Sequence, residues 1–180
     1  MIYQLASNVT QFQNELVDGC LVAKVIFYRL KHNVYPDASG YQLLKLNHRL
    51  AVLESRSFLN EEVIGCLKMT VLFHPSGMTF TNDKTMKQES LRYFQTIQPE
   101  QVYRFSNQTG DENSIHLTET PIVQGLFLLQ LIDEEYNHPN KIDMKFLAPI
   151  YAGHPIYIEE QKSNVCGYSQ NRLCFQAIIN

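Results

Sequence analysis

Apolar residues fall in short runs along this chain, and the spacing within each run predicts its element. Residues 17–30 are apolar on nearly every side, with only Lys24 and Arg29 charged after Gly19. That pattern predicts a mostly buried helix with Asp18 and Gly19 at its start. Residues 33–40 carry Pro36, Asp37, Ser39 and Gly40 and read as a turn. Leucines at 43, 44, 46, 50 and 53 leave residues 42–54 open to helix or strand, and strand is favoured from Asn47 onward. Residues 62–73 place Val63, Ile64, Leu67, Met69, Val71 and Phe73 in near alternation with small or polar positions, which predicts a strand.

The segment His74-Pro-Ser-Gly77 punctuates the chain, and residues 79–95 are rich in Thr, Lys and Gln. One structural unit is expected to hand over to the next there. Residues 99–106 suit a short helix opened by Pro99 and closed by the turn at 109–113. Residues 121–136 read as a second, mostly apolar helix. Beyond His138 and Pro139, residues 141–150, 155–161 and 172–179 read as strands separated by Gly153 and by residues 164–167. The two halves share a plan. In each, a glycine (Gly19 or Gly125) opens an apolar helix and apolar runs follow, which predicts an internal duplication.

At 44% hydrophobic and 18% charged, the 180 residues suffice for one sizeable core or two small ones sharing an interface. A net charge of −3 provides no global basic field for nucleic acid. The first residues lack a basic n-region and a long apolar core, and no run approaches a membrane span, so a cytoplasmic location with no membrane partner is expected. Cys20, Cys66, Cys166 and Cys174 form no CxxC pair and are expected as free thiols in a reducing compartment.

The chemistry concentrates in Phe105-Ser-Asn-Gln-Thr-Gly-Asp-Glu-Asn-Ser-Ile-His116, with Gly125 nine residues further on. Asp111 can take a proton and His116 can give or hold one. The free N–H groups at the start of the helix led by Gly125 can polarise a carbonyl oxygen. These are the parts of an acid/base site for an acyl group. His138 and His154 lie beside prolines and are expected to be exposed. His32, His48 and His74 have no ligand set at metal spacing, and Asp133, Glu134 and Glu135 read as the solvated end of a helix.

Phe105-Ser-x-x-Thr-Gly-Asp-x-Asn-x-Ile-His116, Pro121-Ile-Val-x-Gly125 and Ile142-Asp-Met-Lys-Phe-Leu-Ala-Pro-Ile-Tyr-Ala-Gly153 together resemble the MaoC-like, R-specific enoyl-CoA hydratase family. The resemblance covers residues 99–160 and is only architectural before them. It implies an α+β hotdog fold, an antiparallel sheet wrapped round a central helix. Two units are expected in the chain: a degenerate one at residues 1–78 and one carrying the Gly-Asp-x-x-x-x-His motif at 79–180. It further implies catalytic roles for Asp111 and His116 and an oxyanion-holding N–H at or next to Gly125. Asn113, Val123 and Leu126 would then line the substrate site. The substrate would be an acyl-CoA or an acyl carrier protein thioester, with no metal or other cofactor, and two-unit chains could pair as homodimers. Lys45, Arg49, Arg56 and Lys68 would meet coenzyme A phosphates or remain solvated surface charges.

Two features depart from the family pattern. Ser114 stands where proline is usual, so a φ-fixing residue is absent. The interval from His116 to Gly125 is also shorter than is common. A non-catalytic thioester-binding protein and a thioesterase are the competing readings.

Overall fold

The computed structural model describes residues 1–12, 18–73 and 91–180. Among these residues three α-helices and nine strands follow in the order α1 (Ile2–Thr10), β1 (Leu21–Arg29), β2 (Ala38–Leu46), β3 (Leu50–Leu59), β4 (Glu62–Leu72), β5 (Arg92–Thr96), α2 (Pro99–Thr109), α3 (Gly125–Glu135), β6 (Lys141–Phe146), β7 (Pro155–Gln161), β8 (Asn164–Ser169) and β9 (Arg172–Ile179). The strands form one antiparallel sheet in the order β2-β3-β4-β1-β6-β9-β8-β7-β5.

β1 and β6 meet at its middle, with Phe27 opposite Ile142. Outward from that pair, one flank runs β1-β4-β3-β2 and the other β6-β9-β8-β7, with β5 added beside β7. The two flanks therefore share one strand order, each preceded by a helix, α1 before β1 and α3 before β6.

The helix expected at residues 17–30 is instead β1. A central strand can carry apolar residues at positions of both faces although only one is fully buried, here Val25 and Phe27 on the buried face and Ile26 and Tyr28 on the more open one, and such a run mimics the all-round apolarity of a buried helix. Its content is β-branched and aromatic (Val22, Val25, Ile26, Phe27, Tyr28), and Val25 and Phe27 are fully buried on one face. Gly19, expected to open the helix, has φ +73° and turns the chain into the strand.

The helix of this half is α1, whose buried Ile2, Leu5, Ala6 and Val9 keep helical spacing. It packs on β2, β3 and α2. β2 begins at Ala38, inside the expected turn, and β8 occupies residues expected to separate strands, burying Val165 and Tyr168. The expected boundary at 78/79 lies outside the described residues, and β5 supplies a strand where a handover segment was expected.

α3 is buried on most sides, through Leu126, Phe127, Leu128, Leu129, Ile132 and Asp133, and it packs on β1 and β6. Phe105 of α2 stacks on Phe127 at 5.0 Å, and Tyr3 of α1 lies 5.3 Å from Phe105. The helices are thereby joined to one another as well as to the sheet, in a single contiguous core. Among the described residues no helix is long and apolar enough to cross a membrane.

Candidate active site

α2 ends at Gly110, whose φ of +73° is the left-handed closing conformation that glycine adopts without steric cost. The N–H groups of Gly110 and Asp111 both donate to the Ser106 carbonyl, at 2.8 and 3.0 Å, so the chain reverses sharply and presents the Asp111 side chain. The Asp111 carboxylate accepts from the N–H of Asn113 at 3.2 Å. A short 3-10 turn, Ser114–His116, then carries the imidazole inward.

His116 is buried, and its Nδ1 lies 2.6 Å from the Ile122 carbonyl oxygen. That carbonyl only accepts, so Nδ1 must be the protonated nitrogen. Ile122 is itself held, because its N–H donates to the Ile115 carbonyl at 3.0 Å and it bridges to Tyr151. Burial pushes the imidazole below its ordinary range, against the opposing pull of the Asp111 carboxylate and of the Ile122 carbonyl. Neutral His116 thus has a lone pair on Nε2, which faces Asp111 Oδ2 at 3.6 Å. Two acceptors at that separation do not bond each other, and one water can donate to both.

Residues 121–123 are extended and pair with 150–152, Val123 N–H donating to the Ile150 carbonyl at 2.8 Å and Ala152 N–H to that of Pro121 at 2.9 Å. The second apolar helix therefore starts at Gly125 and not at Pro121. Among the described residues no side chain caps α3. The residue at the cap position, Gln124, turns its amide away to the Val102 carbonyl (3.2 Å) and Ser106 Oγ (2.6 Å). The first-turn N–H groups of α3, which no helix can satisfy internally, are thus left without a side-chain acceptor among the described residues.

Gly125 sits in close quarters. A Cβ there would lie 3.0 Å from the Phe146 ring and 3.2 Å from Val22 Cβ. The absence of a side chain is what lets β1 and β6 close over the helix start.

The expected site residues are placed as follows. Asp111 and His116 are brought together, and Gly125, Val123 and Leu126 lie at the start of α3, with Val123 and Leu126 buried. Asn113 is buried with both ends of its amide engaged. Its Oδ1 accepts from Gly19 N–H at 2.9 Å, and its Nδ2 donates to the Cys20 carbonyl at 3.0 Å. Asp18, Gly19 and Cys20 were missed as neighbours of the motif, since 93 or more residues separate each from its partner.

Asp133 corrects another expectation. It is buried and paired with Arg29 Nη2 at 2.6 and 2.7 Å, and His138 Nδ1 adds a contact at 2.7 Å, while Glu134 and Glu135 are solvated as expected. His138 and His154 are exposed, and the four cysteines are free, Cys20 and Cys174 buried and the other two half-buried. Arg56 pairs with Glu54, and Lys45, Arg49 and Lys68 are exposed. His74 lies outside the described residues. Among the described residues no group of three or more His, Cys, Asp and Glu is arranged to hold a metal ion.

Neither a protein-family model nor a curated protein matches the chain. Solved structures do. HtdX of Mycobacterium tuberculosis superposes with a TM-score of 0.68 at 18% identity, over 99% of this chain and 83% of its own. A MaoC-like dehydratase of Phytophthora capsici gives 0.60 at 12% identity, over 94% and 74%. The acyl-CoA thioesterase II TesB2 of Mycobacterium marinum gives 0.54 at 10%, over 98% and 86%. These likenesses define the class of fold as hotdog-like, a long antiparallel sheet with helices against it.

Proposed function

We propose that the protein is a hydratase or dehydratase acting on 2-enoyl and 3-hydroxyacyl thioesters, of coenzyme A or an acyl carrier protein, and that it is built as two hotdog units meeting at β1 and β6. The observation that carries the reading is the pairing of Asp111 Oδ2 with the lone-pair nitrogen of a buried, tautomer-fixed His116 across 3.6 Å, on the turn before an uncapped helix start. A dehydratase and a thioesterase among the structural neighbours are both consistent with thioester chemistry. The N-terminal unit has no Gly-Asp-x-x-x-x-His sequence and would serve as a wall and brace.

In the hydration direction, one water donates a hydrogen to Asp111 and another to His116 Nε2. The water oxygen bonds to C3 of the enoyl group as its proton passes to one of this pair. Electrons of the C2–C3 double bond move towards the thioester, whose oxygen gains charge and is held by the N–H at Gly125. A proton returned from the pair to C2 completes the addition, so one water is consumed and both residues end as they began. Val123 and Leu126 would offer the apolar wall beside the acyl chain, and the chemistry calls for no metal.

The test is incubation with crotonyl-CoA while enoyl absorbance and free thiol are followed together. Hydration removes the absorbance without releasing thiol. Thiol release identifies a thioesterase instead, and no change in either signal supports the non-catalytic reading.

A further inference from the structure

Ser114 opens the 3-10 turn that carries His116, and Asn113 before it is extended, with φ −61° and ψ 121°. An extended residue followed by a first helical position is the local geometry that proline imposes, because its ring fixes φ and it has no N–H to satisfy. Serine does neither. It brings an extra donor to the turn and leaves φ free to vary.

The structure supplies the missing constraint from the other half of the chain. The N–H of Ser114 donates to Asp18 Oδ1 at 3.1 Å. The next two residues extend the grip: Gly19 N–H donates to Asn113 Oδ1, and the Cys20 carbonyl accepts from Asn113 Nδ2. Three consecutive residues leading into β1 thus bind two consecutive residues of the turn between Asp111 and His116. Bonds to an ionised acceptor are the stronger and more directional kind.

We propose that Asp18 is a positioning residue that does by hydrogen bonding what proline would do covalently, holding the turn so that His116 Nε2 stays across from Asp111. The proposal rests on the reading of Asp111 and His116 as the reacting pair. The N-terminal half then acts on the chemistry through this clamp. Asp18 touches no reacting atom, so its loss lowers kcat through misplacement of His116 and leaves KM nearly unchanged.

The experiment is a cycle of Asp18→Ala and Ser114→Pro, singly and combined, with Asp18→Asn as the conservative variant. Each protein is read by kcat and KM for crotonyl-CoA hydration and by amide hydrogen exchange at Ile115 and His116. In the native background Asp18→Ala is expected to lower kcat about tenfold, since small misplacements at a reacting pair cost that much or more. Its effect shrinks to under about twofold when Ser114→Pro is also present, whatever Ser114→Pro does alone, because no N–H then remains to be held. Asp18→Asn, which keeps an acceptor oxygen, loses less than Asp18→Ala. Exchange at Ile115 and His116 follows the same order.

An equal loss from Asp18→Ala in both backgrounds, or no loss and no faster exchange, overturns the proposal. If the protein does not hydrate crotonyl-CoA, the reading of the reaction fails, and exchange alone decides the clamp. Faster exchange in Asp18→Ala that Ser114→Pro reverses supports it, and unchanged exchange refutes it. Should Ser114→Pro fail to fold, the order of exchange rates among Asp18, Asn and Ala at position 18 decides in the same way.

Discussion

His116 and Cys20 sit within reach of the same carboxylate, and burial moves both towards their neutral forms. For His116, burial outweighs the attraction of Asp111, so the ring is neutral at pH 7 and its Nε2 is free to accept. Between its lowered folded pKa and the ordinary value of 6.5, the unfolded chain binds the extra proton. The stability tied to this residue is therefore complete above about pH 6.5 and declines as pH falls through that window. Activity should follow, with kcat/KM on crotonyl-CoA losing its acid limb at a midpoint below 6.5, and a midpoint above that value would contradict the assignment. For Cys20, burial first and the Asp111 carboxylate second push the thiol up to about 12. Iodoacetamide at pH 8 should leave Cys20 unlabelled in the folded protein and label it once urea is added. Peptide mapping by mass spectrometry reads the result, and labelling of folded protein at the rate of an exposed thiol would rule out this environment.

At the scale of elements, α3 joins the reactive end of the molecule to its structural anchor. Its first turn is uncapped beside the Asp111 turn, while its last turn buries Asp133 against Arg29 of β1, with side-chain exposures of 5% and 11%. Removing one partner of such a pair strands the other charge, so Asp133→Ala should cost about 3–5 kcal/mol in urea unfolding. A cost under about 1 kcal/mol would show the pair to be solvated.

This scale also shows what the sequence made legible. Asp111, His116 and Gly125 are local in sequence, and a left-handed glycine, a short turn and a helix start leave recognisable residue spacings. β1 reads as a helix because Ile26 and Tyr28, on its more open face, are as apolar as Val25 and Phe27 on its buried one, so its sequence shows no alternation. α1 carries its period in Ile2, Leu5, Ala6 and Val9, but the run is short beside the stronger apolar stretch after Gly19. Asp18 and Asp133 lay beyond reach, because a carboxylate announces its charge but not a partner about a hundred residues away.

Across the whole molecule, the sheet runs without interruption through the β1–β6 junction, and the core on its helical side is continuous from α1 to β9. Val25, Phe27, Ile142 and Met144 are fully buried at that junction, so neither flank can open without exposing the other. Thermal or urea unfolding should accordingly be a single transition, coincident by far-ultraviolet circular dichroism and by tyrosine fluorescence, the chain having ten tyrosines and no tryptophan. Two resolved transitions would show the flanks to be independent. The same continuity lets β1 and the residues before it brace a turn in the distant half, so that the site belongs to the assembled molecule and not to one segment.

On the proposed reading Asp111 and His116 act together on one water beside the start of α3. Its most direct measurement is the rate of enoyl absorbance loss from crotonyl-CoA in the native protein, in Asp111→Asn and in His116→Ala, each first checked for native circular dichroism. Steady loss without thiol release is expected in the native protein, and rates lower by about a hundredfold or more in both folded variants. Folded variants that hydrate as fast as the native protein would contradict this reading.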